Sequence, residues 1–282
     1  MTTLTSQEAV QIAITELNSD ENNILIHHHH RHNIVAGFVT GSHLRNIATP
    51  DSDFDLVLIT DTNLEDELTN QYYSAEFKIS DKIEGKLMDV RKLYSLILKS
   101  NPNITELFLK SVYINMKPEF RVYRNLFYSL NPEINSDAEK VWLIDRVRYC
   151  KSVGGILWQA IKETKHKHEF RIKRYALLNV MLSDLNSVVN NTPIIFDQSH
   201  KTAGKIRQKA YAEGQIAMSE KAALPKLSDL KSEQEKLQTK LMKQVNTSEF
   251  KLEEENARKW LLQQFITVLN SEKMDELAIN ML

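Results

Sequence analysis

Residues 41–56 read GSHLRNIATPDSDFDL, and this stretch decides the fold. The apolar, β-branched run before it, residues 34–40, predicts a strand that ends where Gly41 interrupts it. Residues 50–52 (Pro-Asp-Ser) predict a turn, and residues 54–60 (FDLVLIT) predict a second, buried strand. The stretch is therefore a strand, a glycine-containing break, a turn and a strand whose beginning carries two aspartates.

The two aspartates, Asp53 and Asp55, are separated by one residue, so the two-residue period of a strand points both side chains to one face. Two carboxylates held close together repel each other, and a divalent cation between them removes that cost. Mg²⁺ prefers oxygen ligands and is commonly shared with substrate phosphates. Gly41 and Ser42 offer backbone N–H groups and a hydroxyl to a phosphate where the first strand ends. These residue types predict a metal and phosphate site at this end of the sheet.

Outward from this stretch, the chain divides into a mixed part and a helical part. Further strands are predicted at residues 73–79 and 83–90. Helices are predicted at residues 7–17, with Ser6 as N-cap, and at residues 90–99 and 104–112. The later sequence has helical patterns, with one brief strand signal at residues 193–196; these helices are 137–164, 170–189, 200–222, 227–245 and 248–269.

We therefore expect an α+β protein of two modules. A small mixed β-sheet module occupies residues 1–117, and a mainly helical module occupies residues 118–282. Two prolines, Pro118 and Pro132, mark the region of the boundary between them.

Composition excludes several other classes of protein. The chain has 282 residues, a net charge of -1 and 7 glycines, which argues against a global basic field for nucleic acid and against glycine-rich phosphate loops. Cys150 is alone, so no intramolecular disulfide can form, which fits a cytoplasmic location. Residues 1–8 lack the pattern of a signal peptide, and no apolar run reaches the roughly 20 residues of a membrane helix. We expect a cytoplasmic protein that makes no contact with membranes.

The order of Gly41-Ser42, a spacer of ten residues, and Asp53-x-Asp55 resembles the DNA polymerase β-like nucleotidyltransferase superfamily. The resemblance implies a palm-like β-sheet module and a metal-dependent nucleotidyltransferase. Such an enzyme transfers a nucleoside monophosphate from a nucleoside triphosphate, with ATP as one candidate, to an acceptor hydroxyl. It also implies two Mg²⁺ ions, with Mn²⁺ as the alternative, held by Asp53, Asp55 and a third carboxylate.

A closer resemblance, over residues 34–108, is to a group of predicted nucleotidyltransferases found in bacteria and large phages. In that group an acidic residue stands five positions before an acidic-Leu-Arg/Lys-Lys motif, and an apolar helix, Asn-Pro and a Glu-Leu helix follow. The corresponding residues here are Glu84, then Asp89-Val90-Arg91-Lys92, Asn101-Pro102 and Glu106-Leu107. Glu84 is favoured as the third catalytic and metal-binding carboxylate over Asp89, because Asp89 precedes a predicted helix where Asp is a common N-cap. The chain departs from the group by having Glu where Asp is usual, and His43 after the Gly-Ser turn.

The helical part is expected to supply the cations that bind the triphosphate. Residues 140–174 carry ten Lys or Arg against three acidic residues. Most of these cations are interpreted as a solvated face. Lys173 and Arg174, together with Gly41, Ser42 and Arg45, are predicted to bind the nucleotide. A second and weaker group of candidate cations is Lys201, Lys205, Arg207 and Lys209. Three aromatic residues, Tyr149, Trp158 and Tyr175, are interpreted as core residues and not as base-stacking platforms.

Several questions stay open at this point. The acceptor is an RNA 3′ end, a protein or a small molecule, and a catalytically silent module that binds nucleotide or RNA is the alternative function. The nucleotide and the oligomeric state are also open. The histidine run from His27 to His30 is not expected to form one metal site, because consecutive side chains point in different directions.

Overall fold

The structure is a computed structural model, which describes residues 4–19, 23–27, 30–62, 68–69, 71–109, 114–115, 145–190, 192, 198–248, 250–252, 254–263 and 266. The strands are β1 (Ile26–His27), β2 (His30–Arg31), β3 (Ile34–Val39), β4 (Phe54–Thr60), β5 (Ser74–Ser80), β6 (Ile83–Asp89), β7 (Ile114–Asn115), β8 (Glu169–Arg171) and β9 (Ala217–Ser219). The helices are α1 (Ser6–Leu17), α2 (Gly41–Leu44), α3 (Val90–Leu98), α4 (Pro102–Leu109), α5 (Arg146–Lys167), α6 (Ile172–Val189), α7 (Gln198–Ala212) and α8 (Glu220–Gln244).

A mixed five-stranded sheet forms the centre of the first half, in the order β5–β6–β4–β3–β7. Strands β4 and β6 are parallel neighbours, and the other neighbouring strands of this sheet are antiparallel. Because β4 is buried over nearly its whole length, it reads as the continuous apolar run FDLVLIT instead of an alternating pattern.

Both faces of this sheet are covered by helices. On one face, Leu56 and Leu58 of β4 belong to a core cluster with Val10 and Ala13 of α1. On the other face, Val57 belongs to a cluster with residues of α3 and α4. The second face is the one to which two-residue alternation assigns Asp55. The end of β4 that carries Asp55 thus belongs to the face of the sheet on which α3 and α4 pack.

The second half packs three long helices around their own core. Helix α8 contacts α5 and α6, and α7 packs on α6. Tyr149, Leu157, Leu185 and Leu227 are fully buried in this core. The short strands β8 and β9 pair with each other and directly precede α6 and α8 in the chain. Lys173 lies in the first turn of α6.

The loop after α2 joins the two halves. Ile47 is fully buried in a small cluster with Ala176 and Val180 of α6 and Ala203 of α7. At Gly204, a β-carbon would lie 3.0 Å from the carbonyl oxygen of Asn46. Helices α6 and α7 therefore stand against the same loop that leads into β4.

The expected α+β fold class is confirmed, and strands β3 to β6 match their predicted bounds to within one residue. Helix α1 is capped by Thr5, and not by Ser6, because Thr5 and Glu8 form a capping box. The predicted helix at residues 200–222 was wrong in its second part, since β9 interrupts it. The β8–β9 pairing was not predicted at all. The strand signal at 193–196 and both boundary prolines lie outside the described residues, so the division at residues 117 and 118 stays a prediction.

One buried ion pair ties α2 to α4. The guanidinium of Arg45 lies 2.5 Å from the carboxylate of Glu106, with side-chain exposures of 5% and 0%. Arg45 also donates a hydrogen bond to Asn103 Oδ1 at 3.3 Å. Burial alone would lower the pKa of Arg45, but the charge and hydrogen bond of Glu106 raise it above its ordinary value.

We predict that Glu106→Gln lowers the free energy of unfolding by about 3–5 kcal/mol, because it leaves the buried Arg45 without its counter-charge. Chemical denaturation measures this change. The matched control is Glu213→Gln, which breaks an exposed pair with Lys209 and should change stability by less than about 0.5 kcal/mol. Equal effects of the two substitutions would contradict the structural role of the buried pair.

Candidate active site

Three carboxylates meet at one end of the sheet. Asp53 precedes β4, Asp55 is its second residue, and Glu84 is the second residue of β6. In the parallel pairing of β4 with β6, Asp55 is the register partner of Glu84. One carboxylate oxygen from each of the three residues lies within 4.8 Å of the others. These three residues form the acidic cluster.

Asp89, the competing residue, lies at the opposite end of the same two strands. Its register partner is Thr60, its side chain is fully buried, and it N-caps α3 by accepting a hydrogen bond from the backbone N–H of Lys92 at 2.6 Å. Its second oxygen accepts a hydrogen bond from the N–H of Tyr73 at 2.7 Å. The structure thus brings Glu84, and not Asp89, to Asp53 and Asp55.

Gly41 is required by the position of Asp55. Its φ of +62° lies in the left-handed region, where a side chain is strained. A β-carbon on Gly41 would also lie 2.0 Å from Oδ2 of Asp55. The neighbouring N–H of Thr40 donates to the carbonyl oxygen of Asp55 at 2.8 Å, which holds the two segments together. Both the backbone conformation and the available space therefore demand glycine.

The pKa values of the two aspartates shift in opposite directions. Burial raises the pKa of Asp55, and the charges of Asp53 and Glu84 raise it further against Lys173 and Arg45. Burial acts in the same direction on Asp53, but the hydrogen bond and charge of Lys173, with help from Arg207, lower its pKa overall. Of the two aspartates, Asp55 is thus the one whose charge the protein stabilises less.

The acidic cluster fits a divalent metal ion by its donor chemistry. It offers oxygen ligands, which Mg²⁺ and Mn²⁺ prefer, on two strands whose hydrogen bonding fixes their register. Burial and the neighbouring carboxylates raise the pKa of Asp55, and a bound cation would offset both costs. Among the residues that the structure describes, the acidic cluster is the group of three or more potential ligands close enough to hold one ion.

Two cations of the helical half reach this site. Lys173 Nζ lies 3.1 Å from Oδ1 of Asp53, and both side chains are about one-third exposed. The guanidinium of Arg207, on α7, donates to the hydroxyl of Ser52 at 3.1 Å, and its charge acts on Asp53 and Asp55. In the sequence, Arg207 stood only in the weaker group of cations. The signal that would have ranked it higher is the packing of α7 on the loop before β4.

His43 is a site residue that the sequence showed only as a departure from the resembled family. Its ring stacks on Phe54, with 4.0 Å between ring centroids and 15° between planes. Burial lowers the pKa of His43, and the cations Lys173 and Arg207 act in the same direction against Asp53. The imidazole therefore adds an uncharged wall to the site.

The other predicted nucleotide ligands lie in different surroundings. Arg45 is buried against Glu106, and Arg174 forms an ion pair with Glu163 of α5. Ser42 is fully buried, and its hydroxyl has no hydrogen-bond partner among the described residues. Of the predicted cations Lys173 and Arg174, the structure brings Lys173 to the acidic cluster. A nucleotide-binding role of Ser42, Arg45 and Arg174 stays a prediction.

A cavity of about 510 Å³ borders the acidic cluster on the side of α3 and α4. Its floor is apolar and includes Val57, Met88 and Ile104, and its rim carries Asn101 and Asn103. The volume is in the range of sites for small organic ligands. The cluster therefore lies between two different environments, with the cations Lys173 and Arg207 added from the helical half.

The histidine run lies in the β1–β2 pairing, where His27 is the register partner of His30. Positions 28 and 29 lie outside the described residues. In the described part of the chain, no helix is long and apolar enough to cross a membrane.

Comparison with known proteins agrees with this geometry. Residues 19–127 match the model of a family described as the RNA repair pathway DNA polymerase beta family. The matched segment contains Gly41 and the whole acidic cluster. The resemblance to polymerase β-like nucleotidyltransferases is therefore confirmed, and nucleotidyl transfer is the general class of activity that it supports.

Among solved structures, a nucleotidyltransferase-like protein from Exiguobacterium sibiricum 255-15 aligns with 75% of this chain and 73% of its own chain. The alignment has a TM-score of 0.30 and 12% sequence identity. No curated protein matches the chain.

The opposite pKa shifts predict opposite effects on stability. In the presence of a chelator, Asp55→Asn should leave the free energy of unfolding unchanged or raise it by up to about 1 kcal/mol, because an amide removes an uncompensated charge. Asp53→Asn should lower it by up to about 1 kcal/mol, since Lys173 loses its partner. Thermal unfolding measures both. A larger loss of stability in Asp55→Asn than in Asp53→Asn would contradict this electrostatic assignment.

Proposed function

We propose that this chain is a divalent-metal-dependent nucleotidyltransferase, which transfers a nucleoside monophosphate from a nucleoside triphosphate to the 3′ hydroxyl of an RNA. The observation that carries the proposal is the acidic cluster on two register-matched parallel strands, with Lys173 beside it. The description of the matching family as part of an RNA repair pathway supports RNA as the acceptor.

Asp53, Asp55 and Glu84 are the residues that would hold the metal. When bound, Mg²⁺ ions would offset the charge of the carboxylates and phosphates and lower the pKa of the acceptor hydroxyl. The rigid pairing of β4 with β6 holds two of the three carboxylates in place, so little reorganisation is needed on binding. Gly41 keeps the backbone next to Asp55 free of a side chain, which leaves room beside that carboxylate.

We assign Lys173 and Arg207 to the leaving pyrophosphate. A triphosphate brings about four negative charges, whereas two divalent ions beside three carboxylates leave only about one positive charge. The ammonium of Lys173 and the half-buried guanidinium of Arg207 supply two more, and partial burial strengthens their attraction for a phosphate.

We assign Glu84 to the acceptor side of the reaction. Its side chain is exposed, unlike the half-covered Asp53 and Asp55, so an incoming hydroxyl can reach it. We assign to Glu84 the proton of the attacking hydroxyl. The hydroxyl oxygen then forms the new bond to the α-phosphorus, the bond to the bridging oxygen breaks, and pyrophosphate leaves with the electron pair.

A second candidate acceptor is a small molecule with a hydroxyl group. The cavity of about 510 Å³ that borders Asp55 and Glu84 favours it, because its apolar floor and amide rim match a compact organic ligand. Its charged lining residues offer no surplus of cations, since Arg45 is paired with Glu106 and Lys86 with Glu76. A polyanion therefore gains little inside this cavity.

The deciding experiment follows label from each α-³²P nucleoside triphosphate into RNA oligonucleotides with a 3′ hydroxyl, into a metabolite extract and into protein, with Mg²⁺ or Mn²⁺ present. Label in the oligonucleotides supports the RNA assignment, and label only in the extract supports a small acceptor. Asp53→Asn and Asp55→Asn should each lower transfer at least about 100-fold. Near wild-type transfer by either folded variant would refute the metal site.

The neighbouring cations of α6 allow a matched test of phosphate binding. Lys173→Ala should raise the KM for the nucleoside triphosphate roughly 10- to 100-fold, because one charge-assisted hydrogen bond to a phosphate is lost. Arg174→Ala removes an equal charge from the next position. Because its partner is Glu163, we expect its KM to stay within about threefold of wild type, against the nucleotide-binding role that the sequence suggested for it. Steady-state kinetics with varied nucleotide measure both values. The reverse order of the two effects would remove Lys173 from the proposed site.

A further inference from the structure

One face of α5 carries cations and an aromatic residue and is turned to solvent. The side chains at these positions are exposed, whereas those on the opposite face, such as Tyr149, Val153 and Leu157, are fully buried against α6 and α8. The exposed positions follow each other at helical spacings of three and four residues, so they form one stripe along the helix. This stripe, named the α5 stripe, consists of Arg148, Lys151, Gly155, Trp158, Lys162 and Lys165.

The charged residues of the α5 stripe are all cations. Within α5 there is one acidic residue, Glu163, and its carboxylate is taken up by Arg174 and by Gln159 at 2.8 Å. The stripe's four cations form no ion pair with the residues that the structure describes. Four like charges over a helical length of roughly 25 Å repel each other, and this cost is relieved by an anionic partner.

Trp158 gives the stripe a second recognition element. Its side chain is 58% exposed, although tryptophan is usually well covered, and the expectation of a core position for it was wrong. Lys162 Nζ lies 5.7 Å from the centre of its ring, and a β-carbon on Gly155, one turn earlier, would meet no atom within 4 Å. The indole is thus largely exposed, with a cation over its ring and free space at Gly155 one turn away.

We infer that the α5 stripe is a docking surface for single-stranded RNA, with phosphates on its four cations and a base stacked on Trp158. Alternation of cations with an accessible aromatic ring is the combination that binds single strands without sequence preference. The C-terminal part of the stripe lies near the first turn of α6, because Glu163, next to Lys162, pairs with Arg174, next to Lys173. The choice of RNA over other single strands rests on the proposed function, and the existence of the surface does not.

Binding is tested with the full chain and a fluorescein-labelled single-stranded RNA of about 12 nucleotides, by fluorescence anisotropy over a range of salt concentrations. Trp158→Ala should weaken binding roughly 5- to 100-fold, and Trp158→Phe, which keeps an aromatic face, should restore most of the affinity. Equal affinity of wild type and Trp158→Ala would overturn the stacking role.

The cations are tested by the dependence of the affinity on salt. Lys162→Gln with Lys165→Gln should make the slope of log affinity against log salt shallower by about 1.4, because each phosphate contact on a single strand contributes about 0.7. The control pair Lys236→Gln with Lys243→Gln changes the net charge equally on exposed positions of α8 and should leave the slope unchanged. Equal slopes for the two double variants would overturn the docking surface.

Failure of this inference is distinguishable from failure of the proposed function. Asp55→Asn should lose nucleotidyl transfer and keep wild-type RNA affinity, because the acidic cluster is separate from the α5 stripe. RNA binding through the stripe without transfer by the wild-type chain would refute the proposed function alone. Transfer to RNA with an affinity that none of the stripe variants changes would refute the stripe alone.

Discussion

The site depends on one close approach, that of the Asp55 carboxylate to the backbone of Gly41. A β-carbon at position 41 would lie 2.0 Å from a carboxylate oxygen, and the backbone there has a positive φ. No other residue type satisfies both conditions. The approach fixes where β4 begins relative to α2, and the parallel register of β4 with β6 then brings Glu84 opposite Asp55. The acidic cluster is therefore a consequence of backbone geometry, and its repulsion is imposed by the fold.

Cations of the helical half, which packs against the loop before β4, offset that repulsion. Ile47 is buried among Ala176 and Ala203, so helices α6 and α7 are held against this loop by packing of small side chains. The same contact brings Lys173 to Asp53 and Arg207 to Ser52. Because both cations come from one half and the carboxylates from the other, a change in the packing of the halves would alter the charge balance of the site. Neither half contains the complete arrangement by itself.

The sequence was most informative where local pattern and chemistry coincide. The bounds of β4 could be predicted, because its continuous apolar run is a local signal. Glu84 could be chosen as the partner of Asp53 and Asp55, because a resembled group has an acidic residue at that spacing and Asp89 stands at a helix N-cap. Arg45 could not be placed, since its partner Glu106 lies far away in the sequence and burial of the pair is decided by tertiary packing. The exposure of Trp158 depends on which face of α5 the other helices cover, and the pattern of one helix does not show this. The β8–β9 pairing joins segments of three residues that are too short to be recognised alone.

The two sides of the acidic cluster differ in charge. Lys173 and Arg207 bring positive charge to the cluster from the helical half. The cavity beside Asp55 and Glu84 has its lysine and arginine already paired with acids, so it suits an uncharged group. In the proposed reaction the pyrophosphate therefore lies on the cationic side of the cluster, and the cavity side takes an uncharged group. In that reaction the attacking hydroxyl must approach opposite the leaving group. An RNA strand bound on the α5 stripe would therefore have to carry its 3′ end past Lys173 to the cavity side of the cluster.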